Sequence, residues 1–428
     1  MNTAGAAQKS VSRASIVIAA VSTIVEWYDF TLYLYFSTVL SRVFFGGGQT
    51  ALLTTLAGFA IAYFLRPFGA IVFGHIGDRL GRRRTLLLSV AVMTLAMLGT
   101  ALLPTHAQAG AVAGWLLFLL RCVMGFSVGG EYNVVVAYLL EGAPQNRRGL
   151  IASWAAAASE LGGLLAVGVC SLTVNGLDPA SLDSWGWRIP FLVGAGLAAS
   201  VWIARAAMEE SPDFLRQQTE GTVPLNPLRF VLVRHRAGIA RAFAISALGS
   251  ITYYVGITFV PVFLTSTGRL GEGEALHLST IAAVAVILIT PVTGALSDRL
   301  GRKPVLIFLA ASSVLLPFVM FHLMASGIPL YALSGAVLLA CLAGAISAVG
   351  AIATAEQFPG EGRVSGLALG ATSATAIFGG LTPYMAQIMT ARTGWAMVPG
   401  AMIAIVALCV LPVLLRLPPP SKISHCGN

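Results

Sequence analysis

The sequence predicts an all-α polytopic membrane protein with twelve transmembrane helices in two pseudo-symmetric six-helix bundles. Three observations predict it. Apolar runs of spanning length recur along the whole chain, Lys and Arg collect on alternate loops, and a charged loop motif repeats 220 residues apart.

Of the 428 residues, 57% are apolar and only 10% are charged, and mean hydropathy is +0.84. A soluble chain of this length carries far more charge on its surface, so lipid is the solvent for much of this one. A spanning helix needs roughly 20 mostly apolar residues. Such runs lie near 15–40, 52–77, 85–103, 110–138, 150–173, 187–207, 238–265, 277–296, 304–324, 330–354, 365–390 and 396–416. They are too long and too uniformly apolar for barrel strands, which alternate apolar and polar residues over about ten positions.

The net charge of +9 would by itself suggest nucleic acid, but its placement argues otherwise. With loops assigned alternately to the two sides, 20 of the 26 Lys and Arg fall on one side, Arg205 among them. The other side receives only Arg42, Arg188, Arg269 and Arg392, and Arg66 and Arg121 fall inside spans. This positive-inside pattern predicts an inner-membrane protein with both termini in the cytoplasm and an even number of spans. Lys9 and Arg13 precede a first run too long for a signal-peptide core, with no small-residue cleavage site after it, so it reads as a permanent span. The five cysteines (Cys122, Cys170, Cys341, Cys409, Cys426) show no C-x-x-C spacing and read as small apolar filler.

The repeat divides the chain. Gly74-His75-Ile76-Gly77-Asp78-Arg79-Leu80-Gly81-Arg82-Arg83 follows the second run, and Gly294-Ala295-Leu296-Ser297-Asp298-Arg299-Leu300-Gly301-Arg302-Lys303 follows the eighth. Glu141, Pro144 and Arg148 match Glu356, Pro359 and Arg363 at an offset of 215. The expected domains are a six-helix bundle over 1–207, a charged cytoplasmic linker over 208–236, a second bundle over 237–416 and a short tail over 417–428. Two parallel halves around a midplane site form the architecture of a rocking carrier.

These residues resemble the major facilitator superfamily, whose loop signature is G-x-x-x-D-R-L-G-R-R. Val25-Glu26-Trp27-Tyr28-Asp29-Phe30, Leu65-Arg66-Pro67-Phe68-Gly69, Arg121 through Tyr132, Trp185 through Phe191 and Glu210-Ser211-Pro212-Asp213-Phe214 resemble its metabolite:proton symporter branch. The resemblance implies proton symport of a small solute such as citrate, 2-oxoglutarate, shikimate, proline or betaine. It implies no enzymatic activity and no cofactor beyond the proton gradient. The implied partners are a small-molecule substrate, protons and the lipid bilayer, with no nucleic acid, no metal and a single chain sufficing. Two departures stand out. Met124 replaces a common Gln, and Asn133-Val134-Val135-Val136 replaces small residues, which would narrow or redirect the cavity.

The loop motifs carry a gate reading. A carboxylate in the tight turn at Asp78 can meet a helix N-terminus, and nearby arginines can meet Glu141. In the family such contacts latch the cytoplasmic side. The motif match extends that role to Asp78, Arg82, Glu141, Asp298, Arg302 and Glu356, while Arg83 and Arg84 are expected only to fix topology.

Six ionisable residues other than His sit well within the runs: Glu26, Asp29, Arg66, Arg121, Glu131 and Glu160. Each costs at least about 2.5–3.5 kcal/mol at the bilayer centre unless paired or hydrated, so each is a functional candidate. All lie in the first half, which assigns charge recognition and proton handling there. Glu26 and Asp29 are three apart and share a helix face, so they compete for ionisation, and one is poised to load and release a proton. Glu26, Asp29, Arg121 and Glu131 are the proton-coupling candidates. An Arg121–Glu131 pair within one helix is disfavoured by the spacing, and Arg121 is expected to face Asp29 or a substrate carboxylate. Arg66, Arg121, Tyr33, Tyr132, Glu160, Tyr253 and Tyr254 are the substrate-binding candidates. Gly162 and Gly163 beside Glu160 suggest close helix packing. Replacement of Asp29 by Asn is expected to abolish gradient-driven uptake but spare exchange.

Arginine suits carboxylates through its planar fork, which favours carboxylate import. Four buried acids against two bases would equally suit a zwitterion of the proline or betaine type. Drug or siderophore export by antiport is disfavoured, because the fifth run lacks the Gly-Pro signature of such exporters: Ala155 to Val169 contains no proline.

Overall fold

The computed structural model describes residues 13–129, 131–143, 145–222, 226–267 and 270–417. Lys9, Gly130, Pro144, Arg269, Lys422 and Cys426, used above, lie outside them.

Among the described residues, eleven helices are long and apolar enough to cross a membrane, and a bent pair taken as one span makes a twelfth. In order they are α1 (Ala14–Tyr35), α2 (Thr50–Leu80), α3 (Arg82–Ala101), α4 (Ala111–Glu141), α5 (Arg148–Gly176), α6 (Arg188–Ala206), α7 (Arg236–Thr258 with Val260–Ser266), α8 (Gly273–Leu300), α9 (Arg302–Ala325), α10 (Pro329–Ala355), α11 (Arg363–Thr393) and α12 (Val398–Leu415). The chain is thus a multi-pass membrane protein. The first apolar run is interrupted: α1 stops at Tyr35, and a separate helix, Ser37–Phe45, continues it after a turn at Phe36.

Breaks in the spans have identifiable causes. Within α2, Phe64 and Leu65 form a turn, and Pro67 opens the segment that follows. Proline has no N–H to return to the preceding turn. The two parts of α7 meet at 45°, with Pro261 just past the bend. Tyr254–Thr258 of α7 and Ala368–Thr372 and Ala376–Gly380 of α11 are wound as π-helix. Such wide turns gather at functional sites.

Glycines set the closest packing. A Cβ on Gly69 would lie 1.8 Å from the Phe126 carbonyl oxygen, and one on Gly129 would lie 2.0 Å from that of Arg66, so α2 and α4 touch backbone to backbone. Gly162 does the same for α5 against α1, 2.3 Å from the Ile24 oxygen. Gly163 does not share this role, since its Cβ would meet Thr31 at an ordinary 3.6 Å.

The linker carries two short helices, Pro212–Glu220 and Pro227–Arg234, capped by Ser211 and Asn226. Glu210 binds back onto the first half, where its carboxylate accepts from the Arg82 backbone N–H at 2.8 Å and so caps α3.

Candidate functional site

A cavity of about 130 Å³ lies between the halves. Glu26, Trp27, Arg66, Tyr132 and Asn133 line it from the first half, and Tyr253, Tyr254, Thr372 and Thr375 from the second. A recess of about 30 Å³ adjoins it, bordered by Glu26, Asp29, Arg66, Arg121 and Met124. The Met124 thioether thus stands where a polar side chain would have met the Asp29–Arg121 pair.

The recess holds two ion pairs of very different quality. Asp29 accepts from Arg121 through both oxygens, at 2.8 and 3.1 Å. This is the fork geometry that gives arginine–carboxylate pairs their strength. Glu26 is 3.9 Å from Arg66, beyond hydrogen-bond distance, and its Oε2 has no hydrogen-bond partner although the residue is only 2% exposed. Arg66 instead donates to the Tyr63 hydroxyl at 2.8 Å and lies over the Tyr63 and Phe30 rings. Tyr63 shares a hydrogen bond with Tyr254, tying α2 to α7. The ring of Tyr63 rests on Gly380 and that of Tyr254 on Gly379, where a Cβ would come within 2.7 Å of either ring.

An aromatic corner adjoins these charges. Trp27 packs edge-on against Tyr253 (4.9 Å between centroids) and Tyr132 (6.4 Å). The Tyr253 hydroxyl points at Glu160, 3.5 Å away. Glu160 therefore stands behind Tyr253 and outside the cavity lining.

Glu131 pairs with Arg205 at 2.6 Å and accepts from Ser89 at 3.1 Å, so its arginine partner is Arg205 and not Arg121. Two expectations are corrected. Arg205 is no loop charge, being 0% exposed at the Ala206 end of α6, where it also reaches the Leu86 carbonyl and Ser22. The buried set therefore holds four acids and three bases. Tyr33 does not reach the cavity, because its hydroxyl donates to the Thr55 carbonyl at 3.1 Å and its ring covers Arg121.

Tyr63 and Trp27 join the site in addition to the expected residues. Tyr63 lies three residues before Arg66 on the same face, and Trp27 lies between Glu26 and Tyr28 in a quoted motif. Either position was a usable signal. Thr372 gave none beyond a small polar residue in an apolar run. Asn133 was noted for bulk, yet its amide is what matters: it donates to Thr372 across the halves at 2.6 Å. Val134 and Val135 do not line the cavity but pack into the first half.

The charged loops join the halves at one end of the helices. Asp78 accepts from the Ser365 N–H and hydroxyl at 3.2 and 2.7 Å. Asp298 accepts from the N–H groups of Gly149 and Leu150, both at 2.9 Å. Each aspartate meets a helix N-terminus of the opposite half, as the helix dipole favours. Arg82 bridges Asp78 (3.1 Å) and Glu141 (3.5 Å), and Arg302 bridges Asp298 (2.7 Å) and Glu356 (3.5 Å). Arg363 crosses to Glu141 at 3.0 Å. Burial raises the Glu356 carboxyl above the usual glutamate range, and Arg302 pulls it only part of the way back.

A two-half helical bundle around a charged midplane cavity defines a secondary active membrane transporter. Residues 15–222 match the family model "Sugar (and other) transporter", and residues 269–425 match "Major Facilitator Superfamily". The chain is 34% identical over 376 residues to the alpha-ketoglutarate permease of Escherichia coli, covering 87% of this chain and 86% of the permease. It is 32% identical to an ectoine/proline transporter of Corynebacterium glutamicum (90% and 80% covered) and 28% identical to a citrate-proton symporter of Klebsiella pneumoniae (90% and 87% covered). The proton:xylose symporter XylE shares the fold at a TM-score of 0.74 and 20% identity, with 95% of both chains covered. The chain belongs to the major facilitator superfamily, in its metabolite:proton symporter branch. These relatives are permeases and transporters, not enzymes.

Proposed function

We propose that this carrier imports a small carboxylate metabolite together with protons, by alternating access, across the inner membrane with both termini in the cytoplasm. One observation carries the reading: Arg66 lines the cavity with its nearest carboxylate, Glu26, held too far away to satisfy it. An entering carboxylate can take Arg66, and Glu26 is then free to carry the proton. Importing one negative charge against a negative-inside potential costs about 2.3 kcal/mol per 100 mV, so accompanying protons offset the solute's charge. Asp78, Arg82, Glu141, Asp298, Arg302 and Glu356 act as the cytoplasmic latch. The twelve spans function as a monomer, with 1–207 and 237–416 as the rocking units and 208–236 as their connection.

A second reading is import of a zwitterion. It is favoured by the Trp27, Tyr132 and Tyr253 rings that line the cavity together with Glu26, since aromatic rings and a carboxylate suit a cationic nitrogen. The test is uptake into proteoliposomes of citrate, 2-oxoglutarate, shikimate, proline and betaine, with and without a pH gradient. Gradient-driven uptake of a carboxylate is the expected result. Uptake of proline or betaine alone selects the second reading, and indifference to the gradient removes proton coupling.

A further inference from the structure

Asn133 and Thr372 join the two halves from inside the cavity. Asn133 lies on the cytoplasmic half of α4, and Thr372 closes the first π-wound segment of α11. They are 6% and 8% exposed, and both line the cavity beside the apolar Val136, Leu367 and Ala371. The contacts of Asp78, Asp298 and Glu141 lie nearer the helix ends, and none of those three residues lines the cavity. A solute in the cavity can therefore touch the Asn133–Thr372 bond but not the ionic latch.

We infer that the Asn133–Thr372 hydrogen bond is an inner lock that the solute itself releases. Opening toward the cytoplasm draws α4 away from α11 and exchanges this direct bond for bonds to water. That exchange carries a net cost, so the empty carrier stays closed on that side. A solute rich in acceptor oxygens accepts from the Asn133 amide and from the Thr372 hydroxyl in turn, so the loaded carrier opens at lower cost. The same exchange selects for solutes with an acceptor oxygen at that depth. The lock rests on the transport reading above, but its first test needs neither a solute nor a pH gradient.

The test uses inverted membrane vesicles and a membrane-impermeant maleimide, with the five natural cysteines replaced by Ser and a reporter cysteine in place of the cavity-lining Ser347. Without solute, labelling of the otherwise unchanged carrier is slow. Asn133→Ala and Thr372→Val each raise it about tenfold, the effect of losing roughly one hydrogen bond. The double variant labels no faster than either single one, because both remove the same bond. Thr372→Ser keeps the hydroxyl and labels like the unchanged carrier, which separates loss of the bond from damage to packing. In the second arm, citrate or 2-oxoglutarate, whichever the uptake panel shows to be transported, speeds labelling of the unchanged carrier and not of the variants. Unchanged labelling in both single variants, additive singles, or a transported solute that leaves labelling unaltered overturns the proposal. A panel in which nothing is taken up, with the first arm as expected, rejects the carboxylate reading and leaves the lock standing.

Discussion

Asp29 and Arg121 grip each other through two parallel hydrogen bonds, whereas Glu26, three residues earlier on the same helix, stands 3.9 Å from Arg66. The contrast divides two carboxylates that the sequence treats alike. A proton carrier must change partners during the cycle, and Glu26 is the acid whose partner is already loose.

Glu26→Gln is therefore expected to abolish uptake driven by a pH gradient while solute exchange across the membrane continues. Counterflow in proteoliposomes without a gradient separates the two. Loss of exchange as well would place Glu26 in solute binding rather than proton transfer.

Asp29→Asn behaves differently, and the expectation that it spares exchange is revised. It leaves Arg121 buried and charged without its partner, and breaking such a pair costs about 3–5 kcal/mol. Uptake and exchange should fall together, with a lower melting temperature in detergent. An Asp29→Asn carrier that melts normally and still exchanges solute would return Asp29 to the proton pathway.

Glu131 and Arg205 form a structural pair on this geometry. Glu131→Leu or Arg205→Met alone should destabilise the carrier by about 3–5 kcal/mol, and the two replacements together should recover much of it. Thermal melts of the four proteins give the coupling. A Glu131→Gln variant of normal stability that has lost only gradient-driven uptake would contradict the structural assignment.

Asp298→Asn removes a charged acceptor from the start of α5. A hydrogen bond to a charged group is worth about 1.5–3 kcal/mol, so one such loss should shift opening on the cytoplasmic side by at least about tenfold. Spin labels at Arg147 and Arg299, on opposite halves, should report a larger population of long distances. Asp78→Asn should shift the same equilibrium through Ser365.

The latch should also respond to pH through Glu356. Its carboxyl holds a proton more tightly when latched than when solvated. Protonation therefore favours the latched form fully below the ordinary glutamate range, and this preference is lost as pH rises through the raised value. Distances between the same labels should lengthen from pH 4 to pH 7.5, and Glu356→Gln should flatten that response.

The twelve spans were legible because apolar length is a one-dimensional property, and every apolar run of the sequence has a counterpart within a few residues. The contacts among the charged loops were legible because their residues repeat. What escaped depends on three-dimensional pairing. Arg205 sits in the last turn of its span, where a loop charge and a buried one look alike in sequence, and only the approach of Glu131 from α4 distinguishes them. Asn133 and Thr372 are 239 residues apart, and no pattern within either span announces the other. Helix direction alone did not exclude Tyr33 from the cavity, because its rotamer turns the hydroxyl toward Thr55.

The glycine contacts have a mechanical consequence. Where backbones of α1, α2, α4 and α5 touch, no side chains remain between them to slide or reorient. The half that bears the charges is thus a stiff frame. The π-wound turns of α7 and α11 carry a residue's worth of slack, so bending on the way between outward- and inward-facing states falls to the partner half, and the solute is weighed against a fixed charge pattern by a wall that yields.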